Sequence, residues 1–317
     1  MRAIVVLMAL LLSGAASSRM QIVTTTAMIA DVARAVAGEL AQVRSMMGPG
    51  TDPHLYQATP SDIRALQGAD LILYNGLLLE GQLGEVLGRF GELKPVIKVV
   101  EASMPADRIL ANSGLAEGSA DPHVWMDASL FSLVAPGVAD ALAGLDAGNA
   151  AVYRANADAY VAQLEALHEW IAHSIASIPE EHRILVTAHD AFGYYGAAYG
   201  IEVAGIQGLS TETEAAVADI RETVDLVVEL SVPTIFVEST INPRTIEAVI
   251  EAAQSRGHSV SIGGELYSDA MGAEGGHEGT LIGMLRHNTT AITESLGGEV
   301  AQWPAALADW AREWNLP

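Results

Sequence analysis

"DAGNAAVYRANADAYVAQLEALHEWIAHSIAS", residues 146–177, is the stretch that decides the fold. It holds no proline, its one glycine is Gly148, and apolar side chains fall at Tyr153, Ala157, Tyr160, Leu164, Leu167, Ile171 and Ile175. Steps of four and three line one face of an α-helix. At about 1.5 Å per residue, about thirty residues reach roughly 45 Å, longer than a small lobe is wide. Pro179 marks the end. Such a helix is either a coiled-coil dimerisation element or a connector laid along two packed units. The stripe is short for a coiled coil, and the sequence on both sides favours the connector.

Working outward, each flank alternates between β-rich runs and helical spacing. Before the helix come "QIVTTT" from Gln21, "DLILYNG" from Asp70 and "PVIKVVE" from Pro95, with a capped helical segment, "TPSDIRALQGA", from Thr59. After it come "HRILVTAHD" from His182, "IEVAGIQG" from Ile201, "PTIFVEST" from Pro233 and "HSVSIGGE" from His258, with helical stretches near 212–230 and 243–256. Alternation of this kind favours mostly parallel sheets with helices on both faces. The expected fold is α/β: an N-terminal lobe over 19–145, a connecting helix over 146–178 and a C-terminal lobe over 179–317. At 317 residues the chain exceeds the length at which one core usually stops growing, which agrees with two lobes.

Residues 1–18, "MRAIVVLMALLLSGAASS", carry one positive charge, an apolar stretch and then small residues, the pattern of a cleavable signal peptide. The chain has no cysteine, which removes disulfides, thiolate ligands and cysteine nucleophiles, and leaves no residue for lipid attachment. The expectation is a soluble periplasmic monomer with no lipid anchor, not a lipoprotein. A net charge of −23 repels phosphate backbones and attracts cations, so nucleic acid is excluded as a partner.

Without thiolates, any metal must be held by nitrogen and oxygen. Of nine histidines, His54, His123 and His189 stand in loops after extended segments, the first two in the repeated tripeptide "DPH". Proline stiffens such a loop, and the aspartate before it can orient an imidazole N–H. Loops after parallel strands gather at one sheet edge, so histidines from two lobes can converge across a cleft. Asp269, in "GGELYSDAMG", supplies a fourth ligand from the second lobe. Three imidazoles with a carboxylate suit Zn²⁺ and tolerate Mn²⁺ or Fe²⁺. Glu238, closing the run "IFVE", reads as a strand end or a hydrogen-bond partner behind the ligands; His277, in "AEGGHEGT", reads as a surface residue; Asp190 reads as the N-cap of a helix from Ala191.

The stretches "DPHLYQATPSD", "DPHVWMD", "VTAHDAFGYYGAAYGI", "GIQGLSTETEA", "IFVESTI" and "IGGELYSDAMG" carry a resemblance to a known family. From about Gln21 onward the chain resembles the TroA-like, cluster A-I receptors that bind zinc or manganese for ABC importers. The resemblance implies two α/β lobes bridged by one long rigid helix, one metal in the cleft between them, and an importer permease in the inner membrane as partner. It matches His54, His123, His189 and Asp269 to the four ligand positions. Zinc-specific members often carry a long His- and Asp-rich loop, whereas "NSGLAEGSADPH" here holds only His123. Manganese-specific members often have Glu at the third position, where this chain has His189. The metal is thus left between zinc and manganese, with iron a third candidate.

The expected protein is a receptor and not an enzyme. The alternative is a secreted zinc-dependent hydrolase, with Glu238 as its only available base; the chain has neither HExxH nor GxSxG. A metal-dependent adhesin of the same fold is a further alternative.

Overall fold

The computed structural model describes residues 19–111 and 120–316. The expected signal peptide, and most of the segment read above as lacking a His-rich loop, lie outside the described residues.

The first half builds one four-stranded sheet. Its strands are β1 (Met20–Thr24), β2 (Ala41–Ser45), β3 (Leu71–Tyr74) and β4 (Val96–Lys98), ordered β2-β1-β3-β4. All pairings are parallel, and Thr24 lies opposite both Ser45 and Leu73. Strands that end in line deliver their following loops to one edge. Helices Ala27–Ala37 and Pro60–Gly68 cover the sheet, the second opened by a reciprocal cap between Thr59 and Asp62.

The second half holds two parallel pairs: β5 (Ile184–His189) with β6 (Glu202–Gln207), and β7 (Thr234–Glu238) with β8 (Ser261–Leu266). β5 lies beside β7 without joining it in a ladder. Their C-terminal ends, His189 and Glu238, therefore stand together, with Gln207 and Leu266 opposite them in register.

The long helix runs Ala150–Ala176, preceded by a 3-10 turn over Ala147–Asn149. All seven residues of the apolar stripe are buried, joined by Trp170. The helix is anchored to both halves. Tyr160 donates its hydroxyl to Asp31 at 2.7 Å and Asn156 its amide to Val36 at 3.0 Å; further along, Trp170 donates to the Ala301 carbonyl at 2.8 Å. One apolar cluster runs without a break from Ile22 through the helix to Trp310, so burial itself joins the halves.

Three expectations shift in detail, and one strand was not foreseen. "PVIKVVE" is strand only to Lys98; Val99–Ser103 turns helical because Val99 and Val100 are buried there, and packing overrides β-propensity. β2 gave too short an alternating run to be read as a strand. The helix expected from 212 starts at Val217, after Asp219 accepts the Ala216 N–H at 2.7 Å. Asp190 caps no helix: the helix begins at Gly193, behind Phe192.

Candidate metal centre

The four residues singled out by sequence meet at one point. One ligand atom from each of His54, His123, His189 and Asp269 lies within 4.8 Å of the others, and all four side chains are buried. His54 sits in the loop after β2, His123 leads into the turn Val124–Met126, His189 is the last residue of β5, and Asp269 lies three residues beyond β8. His54 and Asp269 come from loops after strands and His189 from the C-terminal end of one, the edge where α/β folds present ligands, whereas His123 comes from the segment leading into a 3-10 turn.

The imidazoles are oriented by what holds their far nitrogens. The Asp121 carboxylate accepts from the His123 backbone N–H at 2.9 Å and from its Nδ1 at 2.8 Å. Glu238 does the same for His189, accepting from its backbone N–H at 2.8 Å and lying 2.5 Å from its Nδ1. With Nδ1 bound to a carboxylate, Nε2 is left to point inward with its lone pair. His54 Nε2 lies 3.4 Å from His123 Nε2; Asp269 Oδ1 is 3.2 Å from His123 Nε2, and Oδ2 is 3.2 Å from His189 Nε2 and 3.6 Å from that of His54. Zinc bonds of about 2.0–2.1 Å at tetrahedral angles set ligand atoms about 3.3 Å apart. These four pairs, at 3.2–3.6 Å, stand near that spacing.

These inward atoms are otherwise unserved. His189 Nε2 and both oxygens of Asp269 are buried without a hydrogen-bond partner, a costly state for polar atoms unless something else binds them. The electrostatics without an ion show the same tension. Burial opposes charge on His123, yet Asp121 and Asp269 outweigh it and push this imidazole up to about 9. Burial likewise opposes charge on His189, and Glu238 and Asp269 raise it well above the usual range. Burial would raise Asp269, but His189 and His123 hold it well below the usual carboxylate range. His54 goes the other way: burial lowers it to about 4, more than Asp269 can restore. A carboxylate this stabilised by neighbouring positive charge, with three nitrogens aimed at it, is a place prepared for a cation.

Residues that sequence reasoning did not name complete the frame. Trp125 donates its indole N–H to the Ser268 carbonyl at 2.9 Å, tying the His123 loop to the Asp269 loop. Asn75 donates to the Pro122 carbonyl at 3.1 Å. Neither carries a sequence signal of its own, since both act through backbone that only folding brings near. His277 is outside the group, half-buried and 3.2 Å from Glu278.

Residues 22–295 match the family described as ZnuA, the periplasmic zinc-uptake complex component A. The chain belongs to that family. It is 43% identical over 282 residues to the manganese-binding lipoprotein MntA of Bacillus subtilis (strain 168), covering 89% of this chain and 91% of that one. The solved structure of the periplasmic zinc-binding protein TroA from Treponema pallidum, 43% identical, superposes with a TM-score of 0.84 over 88% of this chain and 99% of that one. The iron-binding protein YfeA of Yersinia pestis is 31% identical, over 89% of this chain and 88% of that one. The family's members are substrate-binding proteins of metal ABC transporters and not a known class of enzyme.

Membership overturns one expectation. The sequence reading takes the mature protein as periplasmic and not a lipoprotein, with no lipid anchor. MntA, at 43% identity, is named a lipoprotein, so the expectation of no lipid anchor does not stand, while a location outside the cytoplasm remains consistent with the relatives. That expectation rested on residues 1–18 and the missing cysteine, features separate from the metal-binding body that the family shares.

Proposed function

We propose that this chain captures one divalent transition-metal ion outside the cytoplasm and hands it to the permease of an ABC importer. His54, His123, His189 and Asp269 hold the ion, which is zinc, manganese or iron. The observation that carries the reading is the convergence of three imidazole Nε2 atoms on a buried carboxylate that has no hydrogen bond of its own. In the same proposal the chain divides into lobes over 19–145 and 179–317, joined by the helix segment 146–178, and works as a monomer.

The geometry speaks against the hydrolase reading. Catalytic zinc sites keep a position for water beside a free general base. Here the carboxylates behind the site, Asp121 and Glu238, are each taken up by the backbone and ring of a histidine. Asp269 offers two oxygens toward different histidines, which lets an ion with a larger coordination number sit as well as a four-coordinate one.

Titration of the chain with Zn²⁺, Mn²⁺ and Fe²⁺ tests the proposal. One ion should bind per chain, and His123→Ala and Asp269→Ala should each weaken it strongly. Binding of none of the three ions, or binding indifferent to both substitutions, would overturn it.

A further inference from the structure

The two "DPH" tripeptides fold differently. Asp121 serves the ring of His123, whereas Asp52 leaves the ring of His54 alone. One Asp52 oxygen accepts the His54 backbone N–H at 2.9 Å; the other accepts the Thr211 hydroxyl at 2.6 Å. Thr211 belongs to the other half of the chain, in the loop after β6. That loop is itself held from inside: the Gln207 amide donates to the Thr211 carbonyl at 3.2 Å and to the Thr213 carbonyl at 2.6 Å. Gln207 is the strand partner of His189. A continuous hydrogen-bonded path therefore runs from His54, in one half, to the strand beside His189, in the other.

The path lies beside the most exposed of the four candidate ligands. His123 and His189 are 0% exposed and Asp269 2%, while His54 is 6% exposed and is followed by Leu55 at 54%. The loop is also braced from below by Gly81, at φ +44°, where an added Cβ would stand 2.8 Å from the His54 carbonyl oxygen and 3.3 Å from Glu212 Oε1. So the His54 loop, the loop at Gly81 and the 211–212 loop close over one another.

We propose that the Asp52–Thr211 hydrogen bond is a latch that sets how long a bound ion stays, by holding the His54 loop against the opposite half. Asp52 and Thr211 are positioning residues: neither reaches the ion, and both act through His54. The proposal rests on the metal-receptor reading above. A charge-assisted hydrogen bond that must break before the ligand loop lifts slows release and leaves capture nearly untouched.

The test is stopped-flow association and chelator-driven dissociation of Zn²⁺ with the full chain and its variants. Thr211→Val, which keeps shape and loses the hydroxyl, should speed dissociation about tenfold with association unchanged within about twofold. Thr211→Ser, which restores the hydroxyl, should return dissociation to the wild-type rate. A merely structural role would lower the melting temperature of the metal-free protein without this split between the two rates. If Thr211→Val does not fold, Thr211→Ala is read the same way. Wild-type dissociation in the folded Val or Ala variant, with Zn²⁺ bound, overturns the latch alone. A wild-type chain that binds no Zn²⁺ overturns the receptor reading and the latch with it.

Discussion

Asp269 is 2% exposed and its two oxygens accept no hydrogen bond, so its charge is balanced by whatever stands between the three histidines. Without metal that balance comes from protons on His123 and His189, both held above the ordinary imidazole range, while His54 stays neutral at about 4. Metal and protons therefore compete for the same nitrogens. His123, pushed up to about 9, and His189, raised above the ordinary imidazole range, hold protons near pH 7 that an ion must displace, so binding should release protons and affinity should rise with pH. Calorimetry in buffers of different ionisation enthalpy measures this directly, and a proton release of zero would contradict it. Glu238→Gln keeps the size of the side chain but removes the charge facing His189 Nδ1. Affinity should fall by about 10–100-fold, as for other carboxylates behind a metal-binding histidine, and an unchanged affinity would show that Glu238 only ends a strand. The four candidate ligands could be singled out in the sequence because loop histidines and a carboxylate after a strand are local patterns, and because the family resemblance matched all four to ligand positions. Thr211 and Trp125 were not, since their partners lie 159 and 143 residues away.

At the scale of elements, the long helix does more than span. His168, on the helix but outside its apolar stripe, places Nδ1 3.5 Å from Asp127 Oδ1, and its ring lies tilted, 5.1 Å from that of Tyr199. Asp127 caps the short helix after the His123 loop, accepting from the Ser129 and Leu130 N–H groups, and the Tyr199 hydroxyl accepts the Ala128 N–H. The helix thus touches the loop that carries one histidine and the helix that follows another. Asp127 raises the His168 imidazole against the burial that lowers it. A raised folded-state value gives stability that is present in full below about 6.5 and fades as pH rises through the folded-state value. The melting temperature of metal-free His168→Ala should therefore lie below that of wild type near pH 5.5, by a small amount since His168 is partly exposed, and the gap should close above pH 8. A gap that does not change with pH would assign the loss to packing. The helix itself was readable because seven residues at steps of three and four are a strong signal; its contact with Asp127 was not, because a half-exposed histidine on a helix has no pattern to distinguish it.

For the whole molecule, one apolar cluster crosses from the first half through the helix into the second, and Asp31 joins three elements by accepting from Tyr160 at 2.7 Å and from the Leu281 N–H at 3.2 Å. Wide hinge opening would expose that shared core, at a cost that grows with its area. Small-angle scattering of metal-free and metal-loaded protein should show nearly the same radius of gyration, and a large domain closure would contradict the rigid connector. The α/β class was legible from alternation alone, since strand and helix periods differ. That the second half splits into two pairs was not, because strand runs carry no record of which neighbours they bond. The central claim is that one ion sits among His54, His123, His189 and Asp269. A crystal of the metal-loaded chain measured at the absorption edge of the bound metal tests it most directly: the account expects one anomalous peak about 2.0–2.2 Å from three Nε2 atoms and an Asp269 oxygen. A peak at any other set of side chains, or full metal content with no peak in this cleft, would contradict it.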